Sequence, residues 1–242
     1  MSDYSELDAR CDLAAAHRLA VIYALNEGTW NHMSLNHPTN PELTLITPGY
    51  THWSQVSAGN LALTSRDGEF VSGVRPPIKA AAIIHHPVHQ ARADIQCLIH
   101  VHTQHITALG MQKAMKLDTC GSQQAAQFHD DIAYYEIYDG VLIDPKEGTR
   151  MCEALGDKRI LMLRNHGVVV TGTSVAQAFL DLYQLERACQ YQLLATAGGA
   201  ELQQIPAENC VEMCRMARAG NSDPHFAAMR RLLDEKEPNY VD

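Results

Sequence analysis

The chain of 242 residues is 46% hydrophobic and 19% charged, which suits one globular domain of ordinary size and excludes a disordered chain. Its 28 acidic and 19 basic side chains leave a formal net charge of −9, which argues against a protein that binds nucleic acid by neutralising phosphates. No stretch of the sequence approaches the roughly 18 consecutive apolar residues that a membrane span requires.

The first part of the chain predicts one helix followed by short strands. Apolar residues recur at helical spacing over residues 5–25, so we expect an amphipathic helix that ends at Asn26-Glu27-Gly28. Residues 29–73 hold several prolines and glycines between strand-length runs such as residues 43–46. A hairpin turn is predicted over residues 65–69, with Asp67-Gly68 at its tip.

The middle of the chain predicts a helix and three strands. The helix covers residues 78–92, and Pro87 should kink or end it because proline cannot donate the helical hydrogen bond. The strands are predicted at residues 97–101, 160–163 and 168–170.

The last part of the chain is predicted to be helical. Ser174 caps a long helix that continues to Gly198-Gly199, and residues 206–242 form a helical tail that ends near Pro238. This order of elements indicates an α/β fold with a mixed sheet, in a single domain that spans residues 1–242.

The cysteines and the N-terminus bear on where the protein is found. The seven cysteines are scattered and include no C-x-x-C pair, which indicates reduced thiols rather than a disulfide framework. Residues 1–6 have neither the basic start nor the apolar core of a secretory signal. We therefore expect a cytoplasmic protein that binds neither membrane nor nucleic acid.

The sharpest local feature is Ile99-His100-Val101-His102, in a chain with 13 histidines. Side chains alternate between the two faces of a strand, so His100 and His102 point to the same side and can converge on one metal ion. Histidines packed without a metal would fit the same spacing. A metal site requires a third ligand, and His166 in Arg164-Asn165-His166-Gly167 is the best candidate, the alternative being a histidine in a solvated turn.

In their order and spacing, these motifs resemble the class II aldolase and adducin family. The H-x-H strand precedes Arg164-Asn165-His166-Gly167 and then a helix that ends in residues 185–190. Residues 27–34 are similar to the family's early glycine and serine loop, and Ile46-Thr47-Pro48-Gly49 to its I-T-P turn. Residues 232–240 are similar to the tail of the bacterial adducin-head-like branch.

The resemblance implies a three-layer α/β/α sandwich with a central mixed, largely antiparallel sheet, assembled as a homotetramer. It also implies that His100, His102 and His166 hold a divalent metal, with zinc as the usual choice and manganese or iron as alternatives. A metal with neutral imidazole ligands acts as a Lewis acid and stabilises the enolate left when a carbon–carbon bond breaks. The implied partner is a small-molecule substrate.

One departure from the family concerns its acid/base glutamate. Members that cleave sugar phosphates carry a serine-serine-glutamate motif ahead of the first metal histidine, whereas the aligned position here is Ala81, after Lys79 and Ala80. Residues 75–92 contain no Asp or Glu, so a shift in the alignment does not restore a carboxylate.

A second departure concerns the phosphate loop. Asn31-His32-Met33-Ser34 stands where those aldolases have Gly-Asn-x-Ser, and this weakens the cradle of backbone donors that a phosphate uses. We therefore expect a non-phosphorylated substrate, bound by Thr29 and Ser34 of the loop and by Lys79. Lys79 and Arg75 either hold a carboxylate or are solvated surface charges.

Without the glutamate, another group must transfer the proton. His32 lies in the loop that borders the metal in the family. His85 and His89 lie one turn apart on the predicted helix, on the same face as Ala81. Histidine is a competent general acid/base near neutral pH, so His32 and His85 are the catalytic candidates. Each is equally a candidate fourth ligand or a packed core histidine.

We therefore predict a metal-dependent carbon–carbon lyase of the class II aldolase type, which acts by aldol cleavage or decarboxylation on a hydroxy/keto or carboxylic acid. Decarboxylation is slightly favoured because it requires no base to remove a hydroxyl proton. The alternatives are a non-haem iron oxygenase on the same fold and a non-catalytic, adducin-like interaction domain.

Overall fold

A mixed β-sheet forms the middle of the fold. The structure is a computed structural model, and it describes residues 4–138, 140, 144–220 and 222–242. Within these ranges the sheet has eight strands. They are β1 His32–Asn36, β2 Leu43–Ile46, β3 Ala62–Ser65, β4 Phe70–Ser72, β5 Cys97–Val101, β6 Ile132–Tyr135, β7 Ile160–Leu163 and β8 Gly167–Gly172.

Helices cover both faces of this sheet. In chain order they are α1 Glu6–Ile22, α2 Lys79–Ala91, α3 Gln104–Gly110, α4 Gln123–Ala126, α5 Pro145–Leu155, α6 Val175–Thr196, α7 Ala207–Arg218 and α8 Ser222–Lys236. Short 3-10 turns lie at Trp53–Gln55, Ala58–Asn60 and Pro238–Val241. None of the helices in the described ranges has both the length and the apolar character that crossing a bilayer requires.

The strand order is β4-β3-β2-β1-β5-β8-β7-β6, and every neighbouring pair is antiparallel except β6 with β7. The predicted three-layer sandwich with a mixed, largely antiparallel sheet is therefore confirmed. The strands predicted at residues 43–46, 97–101 and 160–163 have those bounds, and the strand predicted at 168–170 is longer at both ends.

Alternation along β5 and its neighbours divides the core into two layers. Cys97, Ile99 and Val101 pack in one layer with α1, α3, α6 and α8, whereas Leu98 packs in the other with α2 and α5. Because side chains two residues apart share a face, His100 lies on the α2 side of the sheet. The sheet therefore directs the H-x-H pair away from the larger core and towards α2.

The first helix begins as predicted but ends three residues early. Ser5 caps α1 in a reciprocal capping box with Asp8. At the other end, Ala24 adopts a left-handed conformation (φ 55°), and the amides of Ala24 and Leu25 return to the carbonyls of Val21 and Ala20. This pattern is a Schellman motif with alanine in the position usually held by glycine, which is why the sequence did not signal the end.

Pro87 lies inside α2 rather than at its end. Proline removes the donor that would bind the carbonyl of Ile83, four residues earlier. Gly148 of α5 packs against this carbonyl so closely that a Cβ on Gly148 would lie 1.9 Å from the Ile83 oxygen. The proline and the glycine together allow α2 and α5 to approach each other on the site-bearing face.

The helical tail predicted at residues 206–242 forms α7, α8 and the last 3-10 turn, and ion pairs attach it to the body. Asp131, fully buried, accepts hydrogen bonds from Arg159 and from Arg218 at the end of α7. Arg159 also pairs with buried Asp181 at 2.6 Å. Burial raises the pKa of Asp181 to about 6, although Arg159 opposes that shift. The network therefore stays charged only while its arginines remain in place.

We predict that Asp131→Asn lowers the free energy of unfolding by about 3 kcal/mol, because it leaves two arginines short of a buried counter-charge. Asp130→Asn is the matched control, since the side chain of Asp130 is 90% exposed and asparagine tolerates the left-handed backbone of this position. Urea unfolding of the two variants checks this. Equal losses would show that the network contributes nothing specific.

Candidate metal centre

An open cleft of about 660 Å³ lies where β1, β5 and the β7–β8 turn meet the start of α2. Of the fifteen described residues that line it, seven are histidine, tryptophan or tyrosine. The residues are Glu27, Trp30, His32, Tyr50, Ile78, Lys79, Ala80, Ile84, His100, His102, Thr107, Tyr138, Gly140, Asn165 and His166.

Three of these histidines converge. The ligand atoms of His100, His102 and His166 all lie within 4.8 Å of one another. His100 lies on β5 and is buried, His102 follows directly after that strand, and His166 lies in the turn between β7 and β8. The three ring centroids are 4.7 to 4.9 Å apart. The structure thus brings together the three residues expected to be ligands.

Hydrogen bonds fix which nitrogen of two of these rings carries the proton. Nδ1 of His100 lies 3.0 Å from the carbonyl oxygen of Val168, and Nδ1 of His102 lies 2.7 Å from a carboxylate oxygen of Glu27. Oxygens of these two kinds only accept, so each Nδ1 must donate. In the neutral rings both Nε2 atoms then carry lone pairs directed towards the cleft.

The two Nε2 atoms face each other at 3.0 Å. Two lone pairs at this distance repel unless a cation lies between them, either a proton or a metal ion. Nitrogens that share a tetrahedral zinc ion lie about 3.3 Å apart, close to the observed separation. Burial lowers the pKa of His166 to about 4 and that of His100 well below its usual value, which favours the neutral, metal-binding form of both rings.

The β7–β8 turn delivers the third histidine. Its three residues connect Leu163 to Gly167, and Asn165 takes the left-handed conformation that asparagine tolerates (φ 55°). A Cβ on Gly167 would lie 2.2 Å from the carbonyl oxygen of Val101 and 2.9 Å from the ring of His102. Only glycine lets this turn approach β5 closely enough for His166 to reach the other two rings.

A chain of hydrogen bonds leads from the cleft into the α2 side of the core. Nδ1 of His32 lies 2.7 Å from Nε2 of His85, whose Nδ1 contacts the hydroxyl of Ser34. The same hydroxyl lies 2.7 Å from Nε2 of His89. His32 and Ser34 share a face of β1, while His85 and His89 lie one turn apart on α2. His89 in turn lines a second cavity of about 300 Å³.

Of the three predicted substrate-binding residues, only one lies in the described lining of the cleft. Lys79, the first residue of α2, is exposed and lines the cleft. Ser34 is fully buried, and its hydroxyl is engaged by His85 and His89 instead of facing the cleft. Thr29 is half-buried and lies outside the described lining. Strand alternation explains why Ser34 is buried, because Ser34 faces α2 beneath His32 at the inner end of the cleft.

The position aligned with the family glutamate also differs from expectation. Ala81 is buried against Ile46 and Ala62, and it is Ala80 that lines the cleft. The helical rotation between adjacent residues places them on different faces. Since residues 75–92 hold no Asp or Glu, α2 brings no carboxylate to the cleft in either alignment.

Two residues of the lining gain a chemical role that the sequence does not predict. Glu27 stands in the predicted helix stop and begins the loop of residues 27–34, yet its carboxylate fixes the tautomer of His102 across 75 positions of the chain. Thr107 of α3 has a buried hydroxyl with no hydrogen-bond partner among the described residues. Both roles depend on contacts between distant parts of the chain, so only the folded chain reveals them.

A family model described as the class II aldolase and adducin N-terminal domain matches residues 11–193. Mouse α-adducin is 34% identical over 82% of this chain, and this match spans 27% of the adducin. The structure of an aldolase II superfamily protein from Pseudomonas syringae has a TM-score of 0.90 and 33% identity, and the match covers 98% of this chain and 96% of that one.

An L-fuculose 1-phosphate aldolase from Glaciozyma antarctica PI12 also shares the fold. Its TM-score is 0.84 at 22% identity, and the match covers 96% of this chain and 92% of that chain. At this identity the likeness extends to the fold alone.

We predict that Glu27→Ala weakens zinc binding about 10- to 100-fold, because a carboxylate that holds the far nitrogen of a ligand histidine orients the ring and raises its basicity. Competition with a chromogenic chelator measures the affinity. Glu42→Ala, at another exposed glutamate outside the cleft lining, should bind zinc as the wild type does. Unchanged affinity in Glu27→Ala would show that Glu27 does not support the ligand.

Proposed function

The chain belongs to the class II aldolase and adducin family, and we propose that it is a metal-dependent lyase that breaks carbon–carbon bonds. The observation that carries this proposal is the convergence of His100, His102 and His166, with two Nε2 lone pairs facing each other at 3.0 Å. A domain used only for protein contacts has no physical need for this arrangement beside an open cleft.

The proposed cofactor is one divalent metal ion held by these three imidazoles. Histidine ligands suit zinc best among common ions, with manganese and iron as the alternatives. When bound, a divalent cation with an open position supplies Lewis-acid chemistry, which stabilises negative charge on a substrate oxygen.

The cleft favours a substrate that carries a carboxylate. Lys79 presents an ammonium at its edge, and the N-terminus of α2 places unpaired backbone amides beside it. The unpartnered hydroxyl of Thr107 is available to a substrate oxygen. Ser34 is buried and Thr29 lies outside the described lining, so the family's phosphate-binding position is lost. We therefore propose a hydroxy- or keto-acid without a phosphate.

His32 is the proposed acid/base, and the hydrogen-bonded chain behind it provides a route for the proton. If each ring donates through Nδ1, His32 donates to His85, His85 donates to Ser34, and Ser34 donates to His89. Nε2 of His32 is then an acceptor. If the direction reverses, Nε2 of His32 carries a proton and is a donor. Every ring stays neutral in both states. His32 can therefore take or give a proton in the cleft while the compensating proton is lost or gained at Nδ1 of His89, a buried atom with no hydrogen-bond partner among the described residues.

This route favours decarboxylation over aldol cleavage within the proposed class. Aldol cleavage requires a base strong enough to take a hydroxyl proton, and the only carboxylate in the described lining, Glu27, already accepts from His102. Decarboxylation requires a proton only afterwards, when the enolate carbon is protonated. The neutral chain that ends at His32 suits that step.

We further propose that residues 1–242 form a single domain and that the protein assembles as a homo-oligomer, a tetramer by likeness to the family. Large aromatic side chains at the cleft support an assembly. Trp30, Tyr50 and Tyr138 are 61%, 69% and 56% exposed, and a neighbouring subunit would cover them and close the cleft from solvent.

The central test combines metal content with turnover. Tag-free protein, stripped and reloaded with zinc, manganese or iron, is analysed for metal and incubated with pyruvate in D₂O, where proton exchange at the methyl group reports an enolate. We predict exchange that depends on metal and is lost together with the cleft metal in His102→Ala. The control is His225→Ala, whose ring lies on α8 outside the cleft lining.

The same test separates the alternatives. Retained iron with substrate-dependent oxygen consumption, and no exchange, would replace the lyase with an oxygenase. An absence of cleft metal and of exchange under every loading condition would leave the non-catalytic, adducin-like role. Release of carbon dioxide from 3-keto acids, measured beside aldehyde release from 4-hydroxy-2-keto acids, distinguishes decarboxylation from aldol cleavage.

We predict that Ser34→Ala slows the exchange about 100-fold, because it interrupts the chain behind His32 while leaving the metal ligands intact. Thr64→Val is the matched control, since it removes another buried hydroxyl, one bonded to the carbonyl of Thr44. Both variants should lose similar stability and keep the same metal content. Equal exchange rates in the two would show that the chain plays no part in proton transfer.

A further inference from the structure

A second group of metal-ligand side chains lies apart from the cleft. The ligand atoms of Cys120, His129 and Cys210 all lie within 4.8 Å of one another, and none of these residues lines the cleft. Cys210 is fully buried, whereas Cys120 and His129 are half-buried. Neither Cys120 nor Cys210 forms a disulfide.

The separations fit a metal ion. Sγ of Cys120 lies 3.8 Å from Nδ1 of His129. A thiolate and an imidazole that share a tetrahedral zinc ion lie about 3.6 Å apart, given Zn–S of about 2.3 Å and Zn–N of about 2.0 Å. The hydroxyl of Thr119, which is half-buried, lies 2.9 Å from the same nitrogen, and Sγ of Cys210 lies 4.0 Å from the carbonyl oxygen of Ile205. A bound metal would replace these contacts of the ring and the thiols.

Three separate segments supply the ligands, and hydrogen bonds hold two of them in place. Cys120 lies in the loop between α3 and α4, His129 follows α4, and Cys210 lies on α7. The carbonyl of Cys120 accepts from the amide of Ile205, just before α7. The carboxylate of Asp118 accepts from both the amide of Cys120 and the side chain of Gln204. The loop and the start of α7 are thus already aligned without a metal.

Helix α7 has little else to hold it. Its only buried residues are Cys210 and Cys214, one turn apart, while Arg218 attaches its last turn to Asp131. A helix with so small an apolar contact gains little from packing. A metal bridge at its first turn would supply a second attachment at the opposite end from the arginine.

The buried thiol of Cys210 is suited to a metal and not to free reactivity. Burial is the larger cause that raises the pKa of Cys210 to about 11, and a hydrogen bond with the side chain of Cys120 adds to it. Without a metal this thiol therefore stays protonated. A bound divalent ion displaces the thiol protons and keeps both sulfurs as thiolates. Two thiolates and one imidazole favour zinc over magnesium, calcium or manganese, which prefer oxygen ligands.

We propose that Cys120, His129 and Cys210 bind a structural zinc ion that fastens α7 to the loop before α4. Solvent completes the coordination through the half-exposed side of the site. This centre is chemically distinct from the cleft, because its ligands include sulfur, and it does not depend on the function proposed for the cleft.

Cobalt(II) distinguishes the two centres, since only a thiolate ligand gives a sulfur-to-cobalt charge-transfer band in the near ultraviolet. The full chain, reduced and stripped of metal, is titrated with cobalt chloride alone. We expect the band in the wild type and in the double variant His102→Ala/His166→Ala, at about one equivalent of cobalt in the latter. We expect its loss in Cys120→Ala, and its persistence in Cys214→Ala, which alters the neighbouring buried cysteine of the same helix.

Zinc provides the second readout. Added zinc should raise the Tm of the double histidine variant and leave that of the triple variant His102→Ala/His166→Ala/Cys120→Ala unchanged, because the triple variant has lost ligands of both sites. Circular dichroism confirms that both variants are folded. Absence of the band from the wild type, or its persistence in Cys120→Ala, would overturn the proposal. A disulfide between Cys120 and Cys210 would also overturn the proposal. It would be detected as fewer than seven titratable thiols in unfolded protein prepared without reductant, and peptide mass mapping would locate it.

Discussion

The pairing of β1 with β5, which sets His32 opposite His100, is the constraint on which the candidate site depends. Directly opposed residues of an antiparallel pair share a face, so this one register brings the H-x-H strand and the early loop to the same side of the sheet. A shift by one residue would turn His32 towards the large core and separate it from the other rings. The buried apolar residues of β5, which face alternate layers of the core, hold the register; they are Cys97, Leu98, Ile99 and Val101.

Four histidines on the α2 side of the sheet are shielded from water. His32, His85, His89 and His100 are all buried there. Burial lowers the pKa of each, to about 3 for His32 and His89, which keeps the rings neutral. Neutral imidazoles are the form that binds metals and the form that can pass a proton along a hydrogen-bonded chain. The same burial therefore suits both roles that we propose.

The C-terminal part of the chain combines apolar packing of α8 with polar contacts that hold α7 and the last turn. Arg218 pairs with Asp131 inside the body, and Arg230 bonds to Tyr240, a fully buried residue at the end of the chain. The carbonyl of Asp242 accepts from the amide of Gly59. Helix α8 lies against α6 and α1, whereas α7 lies against α4, which brings Cys210 beside Cys120 and His129. The second cluster of ligands is a consequence of this docking.

The sequence by itself determined the family and part of the elements, whereas α3, α4, β6 and α5 were not predicted. Periodicity predicted the strands at residues 43–46, 97–101 and 160–163 with their observed bounds, because short apolar runs between turns leave few alternatives. It misplaced the end of α1, since an alanine replaces the expected glycine at the Schellman position. It also indicated that His100 and His102 share a face, which follows from strand geometry alone.

Only the tertiary structure decided what those residues contact. The role of Glu27 beside His102, the removal of Ser34 from the cleft, and the meeting of Cys120 with Cys210 all join residues far apart in the chain. Local patterns carry no information about such contacts, because they arise from sheet register and from helix packing over the whole fold. The sequence thus specifies which side chains are available for chemistry, and the packing of the sheet against its helices specifies which of them meet.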